Sequence, residues 1–401
     1  MHSSASAPAF ELARPKDAPL DPPPLYAELR TERPVTRVSL WEGQLSAWLV
    51  TRWEDARAVL GSPAFSSDPS RPGAPSFKPG TPQPPRGFFQ GHDDPVHALM
   101  RRTLTREFVV RRIDGLRPAI ARLTDELLGD LTGRPGPADF VERFALPLPS
   151  LVICELLGVP YEDHPFFQRH SKVVVDLTAT AEETTRAQRA LAAYLLELVR
   201  TKRTTPGDDL VTRLAEQVDA GVVTEQDAAD LSSFLLFAGH ETTANMIALS
   251  TVTLLHRPEQ IPYVLGDQDQ VAGAVEELLR HISIVHGGLR RTAVEDVTIG
   301  GVTVRAGEGV IIPVGVANRD PEIFAAPDDL DLERADARRH LAFGYGIHQC
   351  LGQPLARAEL QTVLPALFRR LPGLKVAVPM EDIAFKQDTV VYGVHELPVT
   401  W

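Results

Sequence analysis

The stretch Phe343-Gly344-Tyr345-Gly346-Ile347-His348-Gln349-Cys350-Leu351-Gly352 is a glycine-rich loop that ends at a cysteine and leads directly into a helix. Apolar residues at helical spacing from Leu351 to Leu367 predict that helix, and Pro354 is tolerated because it falls in the first turn. Cys350 therefore lies at a helix N-terminus, where free backbone N–H groups and the positive dipole end favour an anion. Such a position is expected to lower the thiol pKa and favours a thiolate metal ligand.

Three other roles of a loop with this composition are less consistent with its residues. A lone cysteine is usually a small buried hydrophobic residue. A phosphate-binding G-x-G-x-x-G loop would need glycine at position 349, where the chain has Gln349. A zinc site would need a second cysteine at metal-ligand spacing, and the sequence has none.

The complete string Phe-Gly-x-Gly-x-His-x-Cys-x-Gly, opening a helix, resembles the haem-binding loop of the cytochrome P-450 family, in its soluble bacterial type. The chain looks most like actinobacterial members that act in secondary metabolism or oxidise xenobiotics. The resemblance implies that Cys350 is the axial iron ligand of haem b (iron protoporphyrin IX). It also implies that Phe343 shields the sulfur, and that Gly344, Gly346 and Gly352 let the backbone lie close to the flat cofactor. The implied fold is one mainly α-helical domain with small peripheral β-sheets, with haem between a long central helix and the cysteine loop.

Composition limits the possible classes of protein. Of the 401 residues, 43% are hydrophobic and 23% charged, as in ordinary soluble globular proteins. Two cysteines exclude a disulfide framework and suit a reducing cytosol. A net charge of −12 argues against nucleic acid as a partner, and no apolar run long enough for a membrane anchor occurs. We therefore expect a cytoplasmic monomer.

The chain is expected to comprise a flexible N-terminal segment, residues 1–24, and one domain, residues 25–401. Residues 61–90 are rich in proline, glycine and serine, a composition that favours a mobile flap over a site. Phe88 and Phe89 at its end either face a substrate or dock the flap.

His97 and Arg101 are four residues apart and share one face of a helix predicted to begin at Pro95, with Asp94 as its cap. Alone, such a pair is a solvated basic face. The resemblance implies instead that both side chains bind a haem propionate through charge-assisted hydrogen bonds. It gives the same role to Arg291 and His348.

A second informative segment is a helix of unusual length, predicted from the capping-box residue Thr224 to His256 and apolar nearly all round from residue 234 to 247. Gly239 costs about 1 kcal/mol in its interior, and Glu241 is expensive to bury unpaired. A zinc-protease H-E-x-x-H motif is excluded because residue 244 is alanine. Hydrogen bonding of Thr242 to the preceding turn would explain that residue and leave Glu241 unexplained.

The resemblance implies that Ala238 and Gly239 leave room for dioxygen. In the same way, it implies that Thr242 hydrogen-bonds the bound oxygen and that Glu241 relays protons as an acid. His240 is expected to point away from the iron. Glu277 and Arg280 alone indicate a surface ion pair worth about 0.2–0.5 kcal/mol. The resemblance implies that they form a buried structural network with Arg334.

The implied reaction is monooxygenation of a lipophilic small molecule, a hydroxylation or epoxidation that uses dioxygen. No flavin or iron–sulfur pattern is visible, so electrons are expected from a ferredoxin or flavodoxin with an NAD(P)H-dependent reductase. A peroxide-driven peroxygenase and a non-enzymatic haem sensor or carrier are the alternatives, and neither needs Glu241 and Thr242. The residues expected to line the substrate pocket are Phe88, Phe89, Leu235, Ala238, Val285, Gly287, Val390 and Val391.

Overall fold

The computed structural model describes residues 7–75, 83–133, 135–175, 180–387 and 389–401. Its α-helices are α1 (Pro24–Glu32), α2 (Trp53–Gly61), α3 (Val96–Thr105), α4 (Val110–Asp114), α5 (Arg117–Thr132), α6 (Pro147–Leu157), α7 (His164–Val175), α8 (Ala181–Thr204), α9 (Leu210–Asp219), α10 (Glu225–His256), α11 (Ile261–Val264), α12 (Gln268–Ile282), α13 (Val314–Ala317) and α14 (Gln353–Arg370). Its strands are β1 (Val35–Leu40), β2 (Leu45–Val50), β3 (Phe65–Ser66), β4 (Ala138–Asp139), β5 (Leu289–Ala293), β6 (Val297–Ile299), β7 (Val302–Val304), β8 (Gly309–Ile312), β9 (Lys375–Val376) and β10 (Pro398–Thr400).

Helix α10 is the centre of the fold. Its first turn is fixed by the expected capping box, in which Thr224 and Asp227 exchange side-chain and backbone hydrogen bonds. The helix packs against α6, α8, α9, α12 and α14, and apolar residues are buried on all of its sides. A helix of 32 residues that is apolar all round can be stable only inside a large helical domain, as the sequence predicts.

The strands form small sheets at the edge of the helical body. Five strands pair in the order β1-β2-β8-β5-β3, three in the order β4-β10-β9, and β6 pairs with β7. Strand β5 pairs antiparallel with β8, in a register that sets Arg291 opposite Val310. The expected fold class, mainly α with small peripheral sheets, is confirmed.

Two apolar segments with helical spacing are each divided between two helical elements. The apolar periodicity of residues 113–131 spans α4 and α5, which separate before Arg117 because Pro118 can occupy only a first helical turn. The segment 140–157 begins with a π-helical turn, Val141–Ala145, and α6 starts only at Pro147. In both segments a proline removes a backbone N–H, so a new helix begins there.

The N-terminal segment, expected to be flexible over residues 1–24, contacts the domain in the part that the structure describes. In its described part, the backbone of Pro8 and Phe10 exchanges hydrogen bonds of 2.8 and 2.9 Å with Ser39 of β1. Arg14 is only 5% exposed, and its guanidinium donates to backbone carbonyls in distant parts of the chain. The segment lies against the domain because a buried arginine and a strand edge hold it. Of the expected flap, residues 76–82 lie outside the described residues.

Candidate active site

The cysteine loop is shaped by two glycines with positive φ, Gly344 at 71° and Gly346 at 74°. A Cβ atom on Gly346 would lie 2.5 Å from the carbonyl oxygen of Leu60, at the end of α2. Gly346 is therefore required for packing of the loop against α2. The backbone N–H of Cys350 donates to the Phe343 carbonyl at 2.9 Å and closes the loop, and α14 begins three residues later.

Burial raises the pKa of the Cys350 thiol, although backbone N–H groups of Gly352 and Gln353 and the charges of Arg101 and Arg357 lower it. The expectation of a lowered thiol pKa is wrong for the protein chain by itself, because desolvation exceeds the contribution of the helix N-terminus. The donors of that terminus are nevertheless directed at the sulfur. A thiol that coordinates a metal cation loses its proton outright, so this sulfur suits a metal ligand.

Phe343 is held by a group that the sequence did not reveal. The guanidinium of Arg357 lies 4.6 Å from the centre of the Phe343 ring. Its Nε donates at 2.6 Å to Glu276, which also accepts at 3.1 Å from Nε2 of His340. Burial would raise the pKa of Glu276, but hydrogen bonds from His340 and Arg357 outweigh it and lower the value to about 2. Glu276 therefore anchors the side chains of Arg357 and His340 around the cysteine loop.

The four residues expected at the propionates lie together. The rings of His97 and His348 are 4.1 Å apart. Burial lowers the pKa of His348 to about 3, and the nearby charges of Arg291, His97 and Arg101 act in the same direction. Nε2 of His97, Nη1 of Arg101 and Nδ1 of His348 are buried, and none has a hydrogen-bond partner among the described residues. Buried cationic and imidazole groups with unused hydrogen-bonding capacity fit the carboxylates of a haem.

On α10, Ala238 is exposed and Glu241 and Thr242 are partly so, although the helix around them is buried. The Thr242 hydroxyl donates to the Ala238 carbonyl at 2.6 Å. These residues are three and four positions apart and share one helix face. The arrangement gives a small residue, an acid and an alcohol on a single accessible face of the core helix.

The two remaining residues of this segment serve packing. A Cβ atom on Gly239 would lie 2.8 Å from Cδ1 of Ile153, so the absence of a side chain here makes room for α6. His240 is 3% exposed, and its Nε2–H donates to the Leu146 carbonyl at 3.1 Å. Burial lowers the pKa of His240 to about 4, so the ring is neutral at physiological pH. It is structurally satisfied, as the sequence predicts.

Glu241 has a partner that sequence reasoning missed. Nζ of Lys386 lies 3.2 Å from Oε1 of Glu241, and both side chains are mostly buried, at 11% and 25% exposure. Lys386 is a single lysine outside any motif, 145 residues further along the chain, so no sequence signal could have identified it.

Glu277, Arg280 and Arg334 are brought together in the core. Arg280 donates to both carboxylate oxygens of Glu277 at 2.7 Å, and Nε of Arg334 lies 3.1 Å from each of them. The side chains of Glu277 and Arg280 are fully buried. Arg280 also donates to the carbonyls of Asn318 and Pro327, so the network ties α12 to the irregular segment before the cysteine loop.

The residues expected at the substrate pocket fall into two groups. Phe89 is fully buried, with its ring 5.0 Å from that of Phe234, so it docks the flap against α10. Leu235 and Gly287 are also buried. The half-buried or exposed members are Phe88, Ala238, Val285, Val390 and Val391. The Gly287 N–H donates to the Val390 carbonyl at 3.2 Å. This bond joins the segment of Val285 to the segment of Val390 and Val391, and together they form one wall.

A model of the cytochrome P450 family matches residues 156–391. The chain belongs to the cytochrome P450 family. It is 51% identical over 391 residues to cytochrome P450-SU2 of Streptomyces griseolus, covering 97% of this chain and 96% of the relative. Vitamin D3 dihydroxylase of the same organism is 44% identical over 403 residues, covering 99% and 98%. The crystal structure of GfsF superimposes with a TM-score of 0.94 at 46% identity, covering 98% of this chain and 100% of that structure.

As a cytochrome P450, the protein is a haem-dependent monooxygenase that uses dioxygen and receives its electrons from a separate redox partner. Among the described residues, no helix combines the length and the apolar character that crossing a membrane would require.

Proposed function

We propose that this P450 binds haem b through Cys350 and hydroxylates or epoxidises a lipophilic small molecule. The observation that carries the proposal is the set of buried, unpartnered nitrogens on His97, Arg101 and His348, near the Cys350 loop. Arg291, 8% exposed, adds a fourth group, and the carboxylate of Asp93 opposes the cations. Two haem propionates would supply the acceptors that this cluster lacks.

Bound haem supplies the activation of dioxygen, and the protein supplies binding, orientation and protons. Cys350 holds the iron, while His97, Arg101, Arg291 and His348 hold the propionates. Glu241 is the acid of the site, and Lys386 fixes its Oε1. The Thr242 hydroxyl, on the same accessible face of α10 and donating to the Ala238 carbonyl, would turn its proton toward bound oxygen. A peroxygenase or a haem carrier would need neither Glu241 nor Thr242, so this pair favours the dioxygen-using reaction.

The substrate is expected to contact the half-buried wall of Phe88, Val285, Val390 and Val391. One relative, 44% identical, is named as a vitamin D3 dihydroxylase. The half-buried wall suits a molecule that is lipophilic, as vitamin D3 is. Screening lipophilic compounds for a shift of the haem absorbance on binding identifies the class.

We further propose that the electron donor is a ferredoxin or flavodoxin, served by an NAD(P)H-dependent reductase, that docks beside the cysteine loop. A groove of about 560 Å³ lies there, lined by Gln353 and Pro354 of α14 together with Arg117 and Arg338. Val110, 66% exposed, lies at the same groove. Asp114, which pairs with Arg117 at 2.9 Å, and Glu276 also line the groove. The three arginines Arg117, Arg338 and Arg357 outnumber these two carboxylates, which suits an acidic protein. Arg117→Glu should slow reduction of the haem and weaken its dependence on salt, whereas Arg186→Glu on the exposed face of α8 should not.

The two cysteines are free thiols, Cys154 buried and Cys350 at the site, which agrees with a cytoplasmic protein. We expect it to be monomeric, which sedimentation equilibrium measures.

The proposed function is tested on the two cysteines as a matched pair. The Cys350→Ser protein should lose the carbon monoxide spectrum of a haem–thiolate, because no other side chain offers a thiolate at the loop. The Cys154→Ala protein should keep it, since Cys154 is a fully buried core residue of α6. A Cys350→Ser protein with an unchanged spectrum refutes the assignment.

A further inference from the structure

The N-terminal strap, residues 8–23, is fixed to the domain by Arg14. Nη2 of Arg14 donates to the carbonyls of Ile282 and Ser283 at 3.1 and 3.2 Å, at the end of α12. Nη1 donates at 3.1 Å to the carbonyl of Leu20 within the strap. A cation at a helix C-terminus satisfies carbonyls that have no helical partner and interacts favourably with the dipole.

Arg14 also contacts the C-terminal side of the pocket wall. Its guanidinium lies 4.0 Å from the ring centre of Tyr392, which is fully buried. Its backbone N–H donates to Oε1 of Gln387 at 2.9 Å. Burial lowers the pKa of Arg14 to about 10, so the guanidinium remains charged at neutral pH and stabilises the ring contact.

The contacts of Arg14 lead to two turns, residues 284–288 and 389–393, which carry the half-buried residues Val285, Val390 and Val391 of the expected pocket wall. The Tyr392 N–H donates to the Ile284 carbonyl at 2.7 Å, directly beside Val285. The ring of Phe385 stacks on Tyr392 with centres 5.7 Å apart and planes at 6°. Arg14 thus touches the base of the turn at 284–288 through Ser283, and the turn at 389–393 through Tyr392.

We propose that Arg14 is a specificity-determining positioning residue: it sets the separation of these two turns, and so the size of the molecule that the pocket accepts. The proposal rests on the proposed function, which assigns Val285, Val390 and Val391 to the pocket. Arg14 reaches the two turns through Ser283 and Tyr392, which flank the expected pocket residues. Its effect on the substrate is transmitted through the backbone of the two turns.

A planar guanidinium is required at this position. It presents several N–H donors in a fixed fork, and Arg14 uses them on three carbonyls of two segments while its face covers Tyr392. The compact ammonium of lysine can keep the charge near Tyr392 and one or two of the carbonyls. Arg14→Lys should therefore restore part of the property that Arg14→Ala loses.

The experiment compares the full-length holoenzymes of wild type, Arg14→Ala, Arg14→Lys and Arg33→Ala. Arg33 is an exposed arginine just after α1 and serves as the matched control. Each protein is titrated by absorbance with imidazole, which is small, and with clotrimazole, a bulky lipophilic imidazole that must fit within the wall. The quantity measured is the ratio of the two Kd values, clotrimazole over imidazole, alongside the carbon monoxide spectrum.

We expect the ratio to change about tenfold in Arg14→Ala, equivalent to ~1.4 kcal/mol. It should change less in Arg14→Lys and stay at the wild-type value in Arg33→Ala. An Arg14→Ala protein with a normal carbon monoxide spectrum and an unchanged ratio overturns the proposal. If Arg14→Ala loses that spectrum, the test of the proposal is the Kd ratio of Arg14→Lys. A wild-type ratio in Arg14→Lys then overturns the proposal. Failure of the proposed function is distinct, because the wild-type protein would then lack the thiolate spectrum.

Discussion

Lys386 forms an ion pair with Glu241 across the active site, with 3.2 Å between Nζ and Oε1. The pair links the segment before the C-terminal turn to the acidic residue beside Ala238 and Thr242 on the accessible face of α10. Lys386 is 8% exposed, so its charge is weakly screened and holds the carboxylate in one orientation. A proton-relaying acid must be positioned before it can act.

We therefore expect Glu241→Gln to reduce product formation by at least about 100-fold, as is typical when a general acid is removed. Lys386→Met should reduce it about tenfold, because the carboxylate remains but loses its anchor. Lys386→Arg, which keeps the cation, should stay close to wild type. Steady-state product formation with a saturating electron donor measures all three. A Lys386→Met enzyme with the wild-type rate would limit the pair to a structural role.

The Thr242 hydroxyl donates to the Ala238 carbonyl and lies next to Glu241 in the sequence. Removing it in Thr242→Ala should leave substrate binding intact and disturb proton delivery, so that the enzyme consumes reductant while releasing hydrogen peroxide. Thr242→Ser retains the hydroxyl and should remain largely coupled. Peroxide released per reductant consumed is the measurement, and unchanged coupling in Thr242→Ala would overturn the role of this hydroxyl.

The carboxylate of Glu277 compensates the positive charges of Arg280 and Arg334 in the core, and its side chain is fully buried. Glu277→Ala should lower the free energy of unfolding by about 3–5 kcal/mol, because the buried charges of Arg280 and Arg334 would lose the carboxylate that compensates them. Loss of haem or of soluble expression is the expected consequence, rather than a selective change in rate.

The control for this substitution is Glu182→Ala on α8. Glu182 pairs with Arg186, but the two side chains are 84% and 72% exposed. Removal of an exposed pair of this kind should cost about 0.5 kcal/mol or less. Urea unfolding of both variants measures the difference, and equal losses would contradict the structural role of Glu277.

The central helix and the cysteine loop could be predicted because their signals are local. A capping box, an apolar helix and a cysteine before a helix are each read from neighbouring residues. The partners of three site residues could not be predicted, because they are far away in the sequence. Ile282 is 268 positions from Arg14, Arg357 is 81 from Glu276, and Lys386 is 145 from Glu241. Each of these contacts depends on one side chain whose type alone carries no pattern.

Roles of glycines were the least predictable part of the site. The sequence predicts space for a ligand at Gly239 and Gly346, and the structure adds that a neighbouring element approaches each of them, α6 at Gly239 and α2 at Gly346. A sequence shows that a side chain is absent. Only the packing shows which neighbour occupies the space.

Glu359 on α14 makes the stability of the fold depend on pH in an unusual direction. It is 2% exposed, its Oε2 has no hydrogen-bond partner among the described residues, and burial raises its pKa to about 8. Because the folded protein holds this proton more tightly than the unfolded chain, the stabilising contribution is complete below the unfolded pKa of about 4.3. It is lost as the pH rises towards 8.

Glu359→Gln keeps the shape of the side chain and removes the titration. Its free energy of unfolding should therefore rise relative to wild type between pH 5 and pH 8, by a few kcal/mol at the upper end, on the order expected from the shift. Exposed Glu381→Gln is the control and should follow the wild-type curve. Urea unfolding at intervals of about one pH unit gives the three curves. Parallel curves for wild type and Glu359→Gln would show that the buried carboxyl is charged at neutral pH and has found a partner.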